Sequence, residues 1–463
     1  MPPAMSPGDV APADGRLPSS SLTTDGEGPL GIYIHVPFCR VRCGYCDFNT
    51  YTAQELGSGG ASTDGFLSAA LAEMDLAQGI LSERHACADQ EGTARPRTTD
   101  AGAPSRPVDT IFVGGGTPTL LSVAQLAALR GGVEQRWGIR AGAEITTEAN
   151  PDTLSDSVAA DLAQAGFTRV SIGMQSAVPH VLVTLDRTHE PSHVPAAVAA
   201  VKAAGMQVSL DLIYGTPGES LQDWRRSVEA ALDMQPDHIS AYALTIEEGT
   251  AMGAAVRRGA LPMPTDDDEA DKYELLDELL AGAGYRWYEI SNWSRGEDTR
   301  CQHNVAYWRG QDWWGIGPGA HSHIGGTRWW NVKHPSAYGK RLRRGISPAL
   351  AREVLTDQQR YDEQVMLGVR LADGLDLCCL RGRLDHTVAD LLTRGLLEPS
   401  AAERGYAVLT RGGRLLADTV VRTLLSDDGL SDDGLSSDVV SNAEAKHSAA
   451  NPGEGFLPAS STA

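Results

Sequence analysis

The sequence predicts an α/β protein built on a parallel sheet, and three observations predict it. Short apolar runs alternate with stretches of helical spacing from residue 108 onward, the signature of βα units. A chain of 463 residues, 41% hydrophobic, is long enough for one large core and a smaller second domain. Polar groups also recur just beyond the apolar runs, where open-sheet and barrel folds keep their chemistry. Six βα units could close into a partial barrel or lie open as a doubly wound sheet; periodicity alone does not choose.

Residues 1–28 are rich in Pro, Ser, Gly and Asp without hydrophobic periodicity, so they are expected to be disordered. Gly31-Ile32-Tyr33-Ile34-His35-Val36-Pro37-Phe38 reads as a buried strand over 32–36, closed by proline. A helix over 65–81 follows, carrying Phe66, Leu67, Ala70, Leu71 and Met74 on one stripe. Residues 82–107 turn polar and Pro/Gly/Arg-rich and read as a surface insert, with Cys87 an exposed spectator thiol. Strands are then expected at 110–113, 144–147, 169–172, 207–213 and 238–243. Between them fall helices at 122–137, 155–165, 191–204 and 221–233, and an acidic helix at 266–280 reads as a solvated outer face.

The composition narrows the function. Net charge is 39 minus 60, or −21, which argues against nucleic acid or anionic lipid as partner. No stretch approaches a membrane span and no secretory leader is apparent, so a cytoplasmic location is expected.

The chemistry-bearing stretch is Cys39-Arg40-Val41-Arg42-Cys43-Gly44-Tyr45-Cys46, which holds three of the seven cysteines on the loop leaving the first strand. Thiolates this close repel unless a cation or cluster binds them, and pairing inside so short a loop would leave one over. A four-coordinate zinc would need a fourth ligand, for which His35 and Asp47 are the neighbours. A cubane iron–sulfur cluster could instead be held by the three thiolates, with one iron open to an exogenous ligand.

Gly114-Gly115-Gly116-Thr117-Pro118-Thr119 follows the second strand. Its glycines allow close backbone approach to a ligand, and its threonine is expected to cap the next segment. It lacks the Lys-Ser/Thr of a P-loop and the full dinucleotide fingerprint. Glu148, Gln175 and Asp211 sit at or just past strands, and Arg187 follows the Gln175 strand; their recurrence favours a cleft.

Seven of the nine tryptophans lie between Trp287 and Trp330 among many glycines, which suits either a flat apolar ligand or a packed seam. Within this stretch lies Cys301-Gln302-His303-Asn304-Val305-Ala306-Tyr307-Trp308. No C-x-x-C-H is present, so covalent c-type heme attachment has no motif. Amphipathic helices are expected at 356–371 and 388–397, then a short wing strand from Tyr406 and a last helix through Leu425. Cys378-Cys379 reads as buried sulfur, and the tail from Ser426 as unfolded.

The spacing C-x3-C-x2-C, with an aromatic before the last cysteine, resembles the radical S-adenosylmethionine (SAM) superfamily. Tyr33-Ile-His-Val-Pro-Phe-Cys39 is similar to its oxygen-independent coproporphyrinogen oxidase branch. Cys46-Asp47-Phe48-Asn49 is more similar to the HemW-type heme chaperones, because the oxidase pattern has a further cysteine where Phe48 stands.

The resemblance implies a partial (β/α)6 radical SAM barrel over 29–300, interrupted by the insert at 82–107. An aromatic segment at 301–350 follows, then a small winged-helix-like α+β domain at 351–425. It also implies a 4Fe-4S cluster on Cys39, Cys43 and Cys46, with SAM on the fourth iron and Tyr45 beside the adenine. Gly115, Gly116 and Thr117 would hold the methionyl part, Asp211 or Glu148 the ribose hydroxyls, and Arg187 the carboxylate. Gln175, Tyr33 and the backbone of Ala243 would complete the SAM contacts.

His303-Asn-x-x-Tyr307-Trp308 matches the element associated with heme in these chaperones. His303 would be the axial ligand and Tyr307 and Trp308 would flank the macrocycle, with Cys301, His321 and His323 as further candidates. Three functions are then in view. The first is a heme chaperone that passes heme to an apo-protein such as a respiratory cytochrome, touching a membrane-protein acceptor only transiently. The second is an oxygen-independent coproporphyrinogen III oxidase of porphyrin biosynthesis, and the third a zinc-binding structural protein. Phe48 and the His303 element favour the chaperone, and no catalytic residue is assigned.

Overall fold

The computed structural model describes residues 8–22, 28–56, 62–90, 106–381 and 385–426. Its strands in chain order are β1 (Asp9–Val10), β2 (Leu30–Val36), β3 (Val108–Gly115), β4 (Ile139–Ala149), β5 (Arg169–Gln175) and β6 (Gln207–Tyr214). They continue with β7 (His238–Ala243), β8 (Arg286–Glu289), β9 (Asn292–Ser294), β10 (Asp312–Ile316), β11 (His321–Ile324), β12 (Thr327–Asn331), β13 (Ala349–Val354), β14 (Leu375–Asp376) and β15 (Tyr406–Ala407). One 13-stranded sheet runs in the order β1-β13-β12-β11-β10-β2-β3-β4-β5-β6-β7-β9-β8.

All six expected βα strands are present as β2 to β7, each parallel to its neighbour. The sheet keeps two free edges, β1 and β8, as a partial barrel does. Alternation along each strand sorts the side chains. Ile32, Ile34, Ile111 and Val113 pack outward against Met74, Leu126 and Leu129 of the covering helices Thr63–Gln90 and Val123–Trp137. Each such fully buried aliphatic side chain stabilises the fold by roughly 2 kcal/mol. Tyr33 and Phe112 point the other way, into the lumen, where they meet Cys301 and Ala320.

The lumen face extends beyond the barrel. Residues paired across neighbouring strands point to the same side of a sheet. Tyr33 pairs with Gly315, and Gly31 with Trp313, across the parallel contact of β2 with β10. Trp313 pairs with His323, and His323 and His321 pair with Arg328 and Trp330. The surface that lines the barrel therefore runs without a break across β10, β11 and β12.

Several expectations change. Residues 8–22 were expected to lack order, yet β1 pairs antiparallel with β13, and the Ser21 hydroxyl lies 2.5 Å from that of Thr327. Backbone pairing on a sheet edge needs no hydrophobic period, so composition did not reveal it. The rest of 1–28 up to Pro7, and 23–27, lie outside the described residues. The helix expected at 65–81 spans Thr63–Gln90, so the insert starts later; residues 91–105 are outside the described residues. Arg106 ends the insert, buried and donating to the Gly28 and Pro29 carbonyls, with Asp312 at 2.9 Å.

In the C-terminal part, helices Asp357–Gly368, Asp385–Thr393 and Ala417–Ser426 surround a separate core of Val365, Leu391, Leu397, Val420 and Leu424. The wing is minimal, two residues in each of β14 and β15, and residues 411–415 are helical. Cys378 and Cys379 are exposed rather than buried, because they sit on a single 3-10 turn at the edge of this core. The tail from residue 427 is outside the described residues.

Candidate functional site

The cysteine loop leaves the C-terminal end of β2 and is sewn down on three sides. Cys39 N donates to the Tyr51 carbonyl at 3.0 Å and Tyr51 N to that of Pro37 at 2.7 Å. Gly116 N and Thr117 N of the turn after β3 donate to Val36 and Phe38, both at 2.8 Å. Gly44 N reaches the Leu185 carbonyl at 3.3 Å. A Cβ on Gly116 would run into the Phe38 carbonyl and lie 2.9 Å from the Cys39 sulfur, so only glycine fits there.

Cys39, Cys43 and Cys46 are free thiols, each half-buried. Burial pushes the Cys39 thiol up, opposed by the Thr50 and Thr117 hydroxyls beside it. Thr117 was expected to cap the following 3-10 turn; its hydroxyl faces Cys39 instead and makes no cap. Arg187 Nη1 lies 3.6 Å from the Cys43 sulfur while Nη2 donates to the Gly173 carbonyl at 2.8 Å. Its buried Nε–H has no partner among the described residues, an orphaned donor that fits an anionic ligand beside the sulfurs.

The donor chemistry distinguishes the two metal readings. Among the described residues no three His, Cys, Asp or Glu converge as ligands of a single ion. A cubane needs no such convergence, because each thiolate binds a different iron. His35 is also closed to zinc. Its Nε2 donates to the Asn49 carbonyl at 3.0 Å, so Nδ1 is the acceptor for the Tyr33 hydroxyl, also at 3.0 Å. Burial lowers this imidazole to about 4. Tyr33 is thus an inner support of His35.

The other sequence-predicted residues ring the same end of the barrel. Glu148, at the end of β4, accepts from Gly115 N at 3.0 Å and fixes the glycine turn, where Gly115 has φ +110°. Asp211 on β6 accepts the Ser171 hydroxyl at 2.9 and 2.8 Å. Burial raises this carboxyl to about 6, although the Ser171 and Ser240 hydroxyls and Arg187 oppose the shift. Gln175 ends β5 at φ 60°, a left-handed conformation unusual for a side chain that long. Ala243 ends β7 beside Leu244, whose N–H donates to the Tyr214 carbonyl at 2.8 Å. Tyr45 packs on Val178, Leu185 and Met252, with its phenol held high by burial and by Cys43.

Asn49 and Glu73 were not singled out from sequence. Asn49 Nδ2 donates to the carbonyls of Pro318 and Lys333 at 2.9 and 2.8 Å, bolting the cysteine loop to the glycine-rich turn after β10. Glu73 accepts from Gly317 N, Asn331 and Tyr338 on the outer side of that turn. Asn49 adjoins the cysteine motif, a signal that could have found it; Glu73 lies in an ordinary helical stripe and offered none.

The His303 element lies elsewhere, at the N-terminal end of the barrel strands. His303 is 1% exposed, with Nδ1 2.7 Å from the Thr110 hydroxyl and Nε2 2.9 Å from that of Tyr307. Its ring stacks on Phe112 at 5.3 Å, and burial lowers its pKa to about 3. This arrangement differs from the open axial ligand expected: hydroxyls engage both ring nitrogens and the ring is buried. Trp308 packs on Leu367 and Leu371 rather than on an open surface. Cys301 is buried with its sulfur 3.4 Å from Glu144, and burial raises its thiol well above the ordinary range. His321 and His323 are half-buried on β11.

Three comparisons bear on this arrangement. The radical SAM superfamily description matches residues 33–231. The chain is 48% identical over 398 residues to the heme chaperone HemW of Mycobacterium tuberculosis (strain ATCC 25618 / H37Rv), covering 86% of this chain and 95% of that one. It is 30% identical over 405 residues to the heme chaperone HemW of Bacillus subtilis (strain 168), covering 85% and 99%. Among solved structures, the coproporphyrinogen III oxidase HemN of Escherichia coli, a radical SAM enzyme, superposes with a TM-score of 0.69 at 22% identity. That match covers 89% of this chain and 93% of the other, and it is a likeness of fold.

Proposed function

The chain belongs to the HemW heme chaperone family within the radical SAM superfamily, and we propose that it binds heme and delivers it to an acceptor apo-protein. The observation that carries this reading is kinship to named heme chaperones along nearly the whole chain, with Phe48 where the oxidase pattern has its extra cysteine. No helix among the described residues is long and apolar enough to cross a membrane, so a membrane-bound acceptor such as a respiratory cytochrome would be met at its surface.

Cys39, Cys43 and Cys46 would hold the 4Fe-4S cluster, and Gly115, Gly116 and Thr117 would line the methionyl part of SAM. When bound, cluster and SAM together supply one-electron chemistry. The residues around them bind and orient. Arg187 offers its orphaned Nε–H to a carboxylate. Asp211, titrating near 6, is anionic at neutral pH and can accept ribose hydroxyls, while Glu148 holds the glycine turn. Tyr45, Gln175 and the Ala243 backbone would close around the adenosine, and His35 with Tyr33 braces the loop from below.

The test is heme transfer. Anaerobically reconstituted protein is expected to take up hemin one to one and pass it to an apo-cytochrome, and failure of both uptake and transfer would sink the reading. Incubation with coproporphyrinogen III, SAM and a reductant is expected to give no protoporphyrinogen IX; turnover would put the oxidase first.

A further inference from the structure

We propose that the heme iron is ligated by Nε2 of His323, in a groove on β10, β11 and β12 beside the barrel, and not by His303. This deepens the chaperone reading and rests on it. The groove is lined by Tyr307, Trp313, His321, His323, Trp330 and Leu367.

The hydrogen bonds of the two imidazoles decide between them. His323 Nδ1 lies 3.1 Å from the Gln311 carbonyl, which can only accept. Nδ1 therefore carries the proton and Nε2 the lone pair, and Nε2 makes no hydrogen bond with a described residue. A ring whose far N–H is held by a backbone carbonyl is oriented as metal-binding histidines are. Burial lowers its pKa, which favours the neutral, ligating form. His303 has no such lone pair to offer, since hydroxyls occupy both nitrogens.

The surroundings suit a flat apolar ring. The Trp313 ring lies 5.0 Å from that of His323, and Tyr307 meets Trp313 edge-on at 4.5 Å. Trp330 stacks on His321 at 5.7 Å and 19°. Trp313 and Trp330 are half-buried, whereas Trp314 and Trp329, which alternate with them, pack into the core. His321 shares the face of His323 two residues along, roughly 7 Å away. Both cannot clasp one iron from opposite sides, so His321 acts with Trp330 as a wall.

At the polar edge Arg328 is held by Glu353 and Glu363, each at 2.6 Å, which leaves one negative charge in excess. The propionates would accordingly face the open side. His303 becomes a positioning residue, holding the Tyr307 hydroxyl and so the wall of the groove.

The experiment titrates hemin into the full chain and reads affinity and the axial-ligand signature in the Soret band and resonance Raman spectrum. His323→Ala is expected to weaken binding at least tenfold and change the signature, with added imidazole restoring it. His303→Phe is expected to keep the signature. A His323→Ala protein that binds hemin with wild-type affinity and signature overturns this assignment while leaving the chaperone reading intact. Loss of binding without imidazole rescue, in a variant that melts like wild type, also counts against ligation. Wild-type protein that binds no hemin sinks both.

Discussion

Arg187 and Cys43 meet across the mouth of the barrel, with Nη1 of the guanidinium 3.6 Å from the sulfur. The second nitrogen is already committed to the Gly173 carbonyl, so Arg187 fastens the end of β5 to the cysteine loop and still has its Nε–H to give. A hydrogen bond to a charged group is worth roughly 1.5–3 kcal/mol. Arg187→Leu should therefore weaken SAM binding by about 10- to 100-fold, measured anaerobically by equilibrium dialysis. Unchanged affinity would remove Arg187 from the SAM pocket.

Gly116 is the tightest contact between the glycine turn and the sulfurs. Gly116→Ala must push either the Phe38 carbonyl or Cys39 aside, and neither is a flexible side-chain end. Overpacking of this kind costs about 1–3 kcal/mol. The expected result is lower iron and sulfide per chain after reconstitution together with a lower melting temperature. Full cluster occupancy at unchanged stability would mean the loop is softer than its hydrogen bonds imply.

These two sites show what was legible beforehand. The cysteines, the glycine turn and Arg187 could be singled out as candidates because thiols, consecutive glycines and a guanidinium at strand ends are particular residue types at fixed spacing. The six strands were legible for a similar reason: parallel strands covered on both sides must be apolar runs. The edge strand at Asp9–Val10 was not, since its main bonds are backbone bonds to Arg352 and Ala351 that any sequence can make. Nor was the state of His303. A motif states that an imidazole is present, but only the fold shows that Thr110 and Tyr307 occupy both of its nitrogens.

Glu73 should make stability fall as pH rises. Burial lifts its carboxyl to about 7, despite donors from Tyr338, Gly317 and Asn331. The folded state thus binds this proton more tightly than the unfolded chain, whose carboxyl titrates near 4.5. The contribution is complete below pH 4.5 and lost as pH climbs through 7, about 3 kcal/mol in all. Glu73→Gln carries no titrating group, so the difference from wild type in urea unfolding should move by that amount in favour of Gln between pH 4.5 and 8. A pH-independent difference would show that the carboxyl titrates normally.

His303 should act in the opposite sense and over an overlapping range. Its folded pKa, lowered to about 3 by burial, lies below the 6.5 of an unperturbed imidazole, so the unfolded chain takes up the proton first. Stability from this group is intact above pH 6.5 and declines on acidification, by about 2 kcal/mol between pH 6.5 and 4.5. In wild type this loss runs against the gain at Glu73, so a modest net slope can hide two large ones. His303→Phe removes one of them. It leaves the Thr110 and Tyr307 hydroxyls without their partner, at a cost of about 1–3 kcal/mol, and should be the less stable protein at pH 7.5. As pH falls to 4.5 that deficit should shrink or reverse in unfolding measurements. A deficit constant with pH would mean that His303 protonates freely in the folded chain, and the sealed position that moves heme ligation to His323 would then be untenable.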